Sequence, residues 1–101
     1  MNPTEQAHVG ANTTVRVSPS VYARAFGAEL VLLDFGRGEY FGLDPLGARI
    51  WTSLEAGTSL AAIVDEVVAS HEVVREEAFR DIVDLVTHMR DQGLVEVVVG
   101  K

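Results

Sequence analysis

The fold is decided by "VLLDFGRGEYFGLDPLGARIWTSLEAG" at residues 31–57. It holds most of two strand-like runs, "ELVLLDF" and "EYFGL", joined by "GRG", whose glycines can adopt the positive φ of a tight hairpin. Asp44-Pro45 then starts a helix at once, because Asp is a preferred N-cap and Pro a preferred first helical residue. Gly57 ends that helix. The stretch therefore predicts a hairpin that leads into a helix, with a short aromatic strand at Glu39–Leu43.

Alternating apolar and polar residues predict more strands on either side of this stretch. The runs "TVRV" at 14–17 and "VYARAF" at 21–26 precede it, separated by a break at Ser18-Pro19. At the other end of the chain, "LVEVVV" at 94–99 predicts a closing strand, which pairs either with "TVRV" or with the sheet.

Two more amphipathic helices follow the first. One, "LAAIVDEVVASH", takes Thr58 or Ser59 as its N-cap, and the other covers about 75–92. The apolar residues expected to face the core are Leu46, Ile50, Trp51 and Leu54 in the first helix, Leu60, Ile63, Val64 and Val67 in the second, and Phe79, Ile82, Val86 and Met89 in the third. The predicted fold class is α+β: a small N-terminal three-stranded antiparallel sheet, three helices and a short C-terminal strand, in a winged-helix-turn-helix-like order.

Length and composition indicate one folded domain. The chain has 101 residues, of which 48% are hydrophobic, enough for a modest core. We expect residues 1–13 to form a flexible arm and residues 14–101 to form the domain. The N-terminal segment lacks the basic start and apolar run of a signal peptide, and no run approaches the ~20 apolar residues of a membrane span. A cytoplasmic location without membrane contact is the expectation.

The charge argues against nucleic acid as a partner. The chain carries 15 acidic and 8 basic residues, a net charge of −7, whereas nucleic-acid binders present a basic surface to phosphates. A winged-helix transcription regulator would need a basic recognition helix, and the predicted helices carry more acid than base. This acidic balance is compatible with a cationic peptide or protein partner.

The residue types that carry catalysis or bind metals are not arranged for either. The chain has no cysteine, and its three histidines, His8, His71 and His88, lack metal-ligand spacing. No serine lies in a G-x-S-x-G motif. The sequence predicts no catalytic residue, no metal site and no cofactor, and it favours a binding module.

Two features leave alternatives open. Carboxylates follow the polar side of the third helix, as either a solvated face or the acidic rim of a peptide groove; they are Glu76, Glu77, Asp81, Asp84 and Asp91. In the aromatic strand, Tyr40 and Phe41 must point to opposite faces, so that one packs inward and the other outward. The sequence does not fix which of the two faces a ligand.

The ordered motifs "LLDFGRGEYFGLDPLGARIWTSLEAGTSLAAIVDEV" and "FRDIVDLVTHMRDQGLV" resemble the PqqD family. More broadly, they resemble the RiPP recognition elements, small domains that bind leader peptides of ribosomally made natural products. The family pattern is an "LL" strand, a glycine hairpin, a "Y-x-L-(N/D)" strand end, "I-W-x-x-L-x-x-G" and a third helix that ends in "G-L-(L/V)". The strand end corresponds here to "YFGLD" at 40–44. The resemblance covers roughly residues 29–96. Within the family, the chain is most similar to the stand-alone recognition proteins of lasso-peptide clusters.

The resemblance implies a winged-helix-like fold that binds a leader peptide rather than DNA. In such proteins the leader adds as a further strand beside the third strand, here Glu39–Leu43, in a groove closed by the third helix. Asp81 matches the family's helix position and is expected to pair or hydrogen-bond with the leader. The candidate binding residues are Glu39, Tyr40, Phe41, Gly42, Leu43, Ala78, Asp81, Ile82, Asp84, Leu85 and His88. For Ile82 and Leu85, plain core packing is the alternative.

The implied function is non-catalytic recognition of a precursor peptide and its delivery to a leader peptidase and then a macrocyclase. The alternative within the same family is a peptide chaperone or adaptor for a radical-SAM enzyme in cofactor biosynthesis. An exposed edge strand can also pair between two copies of a chain, so a monomer or a weak dimer is expected.

Overall fold

The computed structural model of the chain describes residues 9–98, which form five strands and three helices. In chain order the elements are β1 (Thr14–Val17), β2 (Val21–Phe26), β3 (Glu29–Asp34), β4 (Glu39–Leu43), α1 (Pro45–Glu55), α2 (Leu60–Ser70), α3 (Arg75–Asp91) and β5 (Val95–Val98). The α+β class, the three-stranded antiparallel sheet, the three helices and the short C-terminal strand are confirmed. The comparison with winged-helix domains stays a prediction.

The three-stranded sheet has the order β2-β3-β4, and all of its neighbouring strands are antiparallel. Its central strand β3 places Leu32, which is fully buried, toward the helices. Leu33 lies on the outer face, in register with Tyr22 on one side and Tyr40 on the other. The sheet therefore has a core face and an aromatic outer face.

A buried carboxylate holds the hairpin between β3 and β4. Asp34 is only 3% exposed, and its Oδ1 accepts hydrogen bonds from Ser20 Oγ at 2.9 Å and from the backbone N–H of Gly36 at 3.0 Å. The Arg37 N–H lies 3.4 Å from the same oxygen, and Gly38, with φ +70°, completes the turn. A buried carboxylate is tolerated where such donors satisfy it.

The closing strand β5 pairs with β1 and not with the three-stranded sheet. β1 and β5 form a separate two-stranded antiparallel sheet, with Thr14 opposite Val98 and Val17 opposite Val95. The strand order thus ties the two ends of the described chain together and leaves β2-β3-β4 as a sheet of its own.

The helix starts follow the predicted caps. The Asp44 carboxylate accepts a hydrogen bond from the Gly47 N–H at 2.8 Å, and Ser59 rather than Thr58 caps α2, accepting from Ala62 at 3.3 Å. α3 begins at Arg75 without a side-chain cap, although two glutamates in its first turn complement the helix dipole.

The core lies between the helices and the inner faces of both sheets. All four residues predicted for α2 are buried, as are Trp51, Leu54 and Met89, whereas Leu46 and Phe79 are only half-buried. Trp51 is fully buried, and among residues 9–98 no acceptor bonds its indole N–H. None of the helices within this described range is long and apolar enough to cross a membrane.

The arm predicted for residues 1–13 falls mostly outside the described residues. Residues 9–13 form a turn in which the Gly10 N–H donates to Thr13 Oγ1 at 2.8 Å. The Thr13 carbonyl accepts from the Leu60 N–H at 3.0 Å, and the Ala11 carbonyl accepts from the Ala61 N–H at 2.9 Å. This turn satisfies backbone donors that the first turn of α2 would otherwise leave free.

Candidate functional site

The strand β4 offers one unpaired edge. On one side it pairs with β3 along its whole length, from Asp34 opposite Glu39 to Leu30 opposite Leu43. On its other side, no strand within residues 9–98 pairs with it. Its outward-pointing N–H and C=O groups are therefore available to another extended chain.

A cleft of about 680 Å³ lies at the end of this edge. It is bounded by the last residues of β4, the first two turns of α1, the end of α2, the loop after α2 and the first three turns of α3. The lining residues are Gly42, Leu43, Asp44, Leu46, Gly47, Ile50, Val67, His71, Glu72, Val73, Ala78, Asp81, Ile82 and Leu85. We call this space the β4–α3 cleft.

The floor of the β4–α3 cleft is apolar. Ile50, Val67 and Ile82 are buried beneath it, and Leu46 and Leu85 are half-buried at its sides. Such a surface gains free energy when a guest side chain covers it, about 25 cal/mol for each Å² of apolar surface removed from water.

The margin of the cleft is acidic. Glu72 and Asp81 are exposed, and within residues 9–98 neither forms an ion pair with a basic side chain. The Asp44 carboxylate at the same margin is already engaged as the cap of α1. His71 lies beside them, with its Nδ1 2.9 Å from Ser70 Oγ. Among residues 9–98, no Arg lines the cleft, so its electrostatic surroundings favour a cation on the guest.

The structure brings together only some of the predicted binding residues. Those that line the cleft are Gly42, Leu43, Ala78, Asp81, Ile82 and Leu85. Those that do not are Glu39, Tyr40 and Phe41 at the start of β4, and Asp84 and His88, which are exposed on α3. Ile82 and Ala78 also belong to the core. Ile82 therefore packs in the core and lines the cleft at the same time.

The register of the hairpin fixes the directions of the two aromatic residues. Phe41 is opposite Leu32, shares its core face and is half-buried against the core. Tyr40 is opposite Leu33 on the outer face and is 75% exposed. Because side chains alternate along a strand, a guest beside β4 meets Phe41 and Leu43 on one side and Tyr40 on the other.

Several residues that line the cleft carry no sequence pattern that marks them as site residues. Leu46, Ile50 and Val67 were predicted for the core, and their apolar spacing gives no sign that they also border a cleft. The loop residues Glu72 and Val73 belong to no motif, and only the packing of α2 against α3 places them at its mouth.

The chain is a small α+β domain with an unpaired strand edge beside an apolar cleft, a geometry by which peptide-recognition domains accept an extended chain segment. The chain belongs to the PqqD family. The family model described as coenzyme PQQ synthesis protein D (PqqD) matches residues 29–95, which include β3, β4, all three helices and the whole lining of the cleft.

Two solved structures are similar to the chain. One is described as TbiB1 in complex with the TbiA(beta) leader peptide; it is 37% identical, with a TM-score of 0.77, over 80% of this chain and 94% of that one. The other, a lasso peptide synthetase B1 complexed with the leader peptide, is 33% identical, with a TM-score of 0.77, over 81% of this chain and 96% of that one. No curated protein matches the chain.

Metal-binding residues are not clustered in the part of the chain that the structure describes. Within residues 9–98, no group of three or more His, Cys, Asp or Glu side chains is placed to hold a metal ion. His71, Glu72 and Asp81 share the margin of the cleft without forming such a group.

Proposed function

We propose that this protein binds the leader region of a ribosomally synthesised precursor peptide along β4 and in the β4–α3 cleft. The observation that carries the proposal is the position of the apolar cleft, directly beside the unpaired edge of a strand. An edge alone accepts any extended chain, whereas an edge with a cleft can select particular side chains.

Binding takes place by β-augmentation. A guest strand lies about 4.8 Å from β4 and exchanges main-chain hydrogen bonds with it, which supplies affinity independent of the guest sequence. Every second guest side chain then points toward α3. Near Gly42 and Leu43 these side chains enter the cleft and contact Leu46, Ile50 and Leu85.

The cleft supplies selectivity for an apolar anchor. Full burial of a Leu- or Phe-sized side chain is worth about 1.5–3 kcal/mol, which corresponds to roughly a tenfold to a hundredfold change in Kd. The proposal is further supported by the two similar structures, both of which are described as complexes with a leader peptide.

The protein acts without catalysis and presents the bound precursor to other enzymes. The leader is held at the sheet edge, which leaves the rest of the precursor free to reach a leader peptidase and then a macrocyclase. Similarity to a lasso peptide synthetase B1 favours the lasso-peptide pathway. We place this activity in the cytoplasm, as the sequence predicts.

A second candidate is an adaptor for a radical-SAM enzyme in cofactor biosynthesis. The description of the matching family model, coenzyme PQQ synthesis protein D, is the observation that favours it. Both candidate functions use β4 and the β4–α3 cleft. The identity of the precursor whose leader binds distinguishes them.

The proposal is tested by fluorescence anisotropy with a labelled leader peptide. The probe is the leader of the precursor encoded beside the gene for this chain, with the TbiA(beta) leader as a second probe. The expected result is saturable binding that Leu85→Ala weakens about five- to thirtyfold, because the apolar wall that contacts the anchor is removed.

Val83→Ala is the matched control for Leu85→Ala. Val83 is half-buried on the same helix and packs against the core, but it does not line the cleft. Both variants are compared at temperatures well below their melting points. Equal weakening by the two variants, or no saturable binding of either leader by the wild type, would overturn the proposed function.

A further inference from the structure

Arg37 connects the hairpin of the proposed binding strand to the end of α3. Its Nη1 donates a hydrogen bond to the Gln92 carbonyl at 2.9 Å, across 55 positions of sequence. Gln92 is the C-cap of α3. At this end of a helix the backbone carbonyls lack helical partners, and the negative end of the helix dipole lies here. A guanidinium at this position satisfies one of those carbonyls and complements the dipole.

The guanidinium also lies directly against Gly93. A Cβ placed on Gly93 would come within 2.8 Å of Arg37 Nη2 and 2.9 Å of Cζ. Gly93 has φ +78°, a left-handed conformation that already favours glycine at the end of a helix. The same residue thus ends α3 and leaves room for the arginine.

The backbone of Arg37 is itself well placed. The buried Asp34 carboxylate accepts from the N–H groups of Gly36 and Arg37, and the Asp34 carbonyl accepts from the Gly38 N–H at 2.8 Å. The contact between Arg37 and Gln92 is therefore made from an ordered turn rather than from a loose loop.

The strand β4 is held at both of its ends. At the C-terminal end, β4 runs through Asp44 directly into α1, which is packed into the core. At the N-terminal end, Arg37 precedes Glu39 by two residues and fastens the hairpin to the last turn of α3. Arg37 is not among the residues that line the cleft, and its partner Gln92 lies seven residues beyond Leu85, about 10 Å along a helix axis.

We infer that Arg37 is a positioning residue for leader binding, which sets the separation between the edge of β4 and α3; this inference rests on the proposed function. A guest strand must lie at hydrogen-bonding distance from β4 while its side chains reach α3, and both contacts form together only at one separation. A strand already held at that separation binds without the loss of freedom that an unfastened hairpin would suffer.

The test compares Arg37→Ala with Arg24→Ala in leader anisotropy titrations. Arg24 lies on the exposed strand β2 of the same sheet, so its removal changes the net charge equally and controls for long-range electrostatics. Arg37→Ala is expected to weaken leader binding about three- to tenfold, the effect of one solvent-exposed hydrogen bond, and Arg24→Ala is expected to change it less than twofold.

A second measurement needs no leader. The chain has no cysteine, so spin labels can be placed at Phe35→Cys and His88→Cys, two exposed positions beside the hairpin turn and near the end of α3. Pulsed electron paramagnetic resonance is expected to give a narrow distribution of distances between the two spin labels. Arg37→Ala is expected to broaden it, whereas Arg24→Ala is expected to leave it unchanged.

The two measurements separate failure of this inference from failure of the proposed function. Equal leader affinities for Arg37→Ala and Arg24→Ala, with tight binding by the wild type, would overturn the role of Arg37 alone. An unchanged distance distribution in Arg37→Ala would also overturn it, whatever the leader does. Absence of leader binding by the wild type would overturn the proposed function, and with it the role of Arg37 in binding.

Discussion

β2 and β4 form the two edges of the same three-stranded sheet, yet their surroundings differ. Beyond Val21 every residue of β2 is exposed, including Ala23 and Ala25 on the core side of the sheet. β4 instead packs Phe41 and Leu43 against the core and ends beside the β4–α3 cleft. An unpaired edge becomes a selective binding site only where a second apolar layer faces it.

The largest effect is expected from a charge placed in the wall of the cleft that faces the β4 edge, with a charge on the β2 edge as its control. Leu85→Asp puts a carboxylate into the apolar wall of the cleft, where a guest side chain would have to desolvate it. Leader affinity is expected to fall by at least about thirtyfold in an anisotropy titration. Ala23→Asp, on β2, adds the same charge and is expected to change affinity less than twofold.

Circular dichroism and melting curves of both Asp variants show whether the fold is retained. With folded proteins, a comparable loss of affinity in Ala23→Asp would mean that the leader uses the β2 edge or that net charge alone governs binding. Either result would break the contrast between the edges.

A smaller effect, on the free energy of unfolding, is expected from substitutions on the two faces of β4. Phe41→Ala removes a half-buried ring from the core face and is expected to lower the free energy of unfolding by about 1–3 kcal/mol. Tyr40→Ala removes a ring that is 75% exposed, and the expected change is within about 0.5 kcal/mol. Urea denaturation measures both, and similar losses would show that the outer face also stabilises the sheet.

Much of the fold could be predicted because its signals are local. Asp44-Pro45, Gly57 and Gly38 of the hairpin each specify backbone geometry within a few residues, whereas Gly36 does not take the positive φ open to it. The apolar period of α2 identified all four of its core residues. The partner of β1 could not be chosen in this way, because β5 lies some 80 residues further along the chain.

The site was less predictable than the fold for a physical reason. The apolar spacing of Ile50 and Val67 is the same whether a residue borders only the core or also an open cleft, and tertiary packing makes the difference. The direction of Phe41 depends on the hairpin register, since a shift by one residue reverses every side chain. The contact of Arg37 with Gln92 has no sequence signal at all, because it joins a turn to a helix end through one long side chain.

The smallest effect concerns the carboxylates of α3, for which the sequence left a solvated face and a groove rim as alternatives. Asp81 is at the margin of the cleft, whereas Glu55 is exposed at the end of α1 and does not line it. With a leader that carries Lys or Arg beside its apolar anchor, Asp81→Asn is expected to weaken binding about two- to fivefold at low salt, and Glu55→Gln less. The difference is expected to shrink as salt rises, because exposed charges are screened within about 10 Å at 0.1 M. Equal affinities for the two variants at every salt concentration would show that Asp81 belongs to a solvated face, and that the apolar floor and the strand edge alone determine which leader binds.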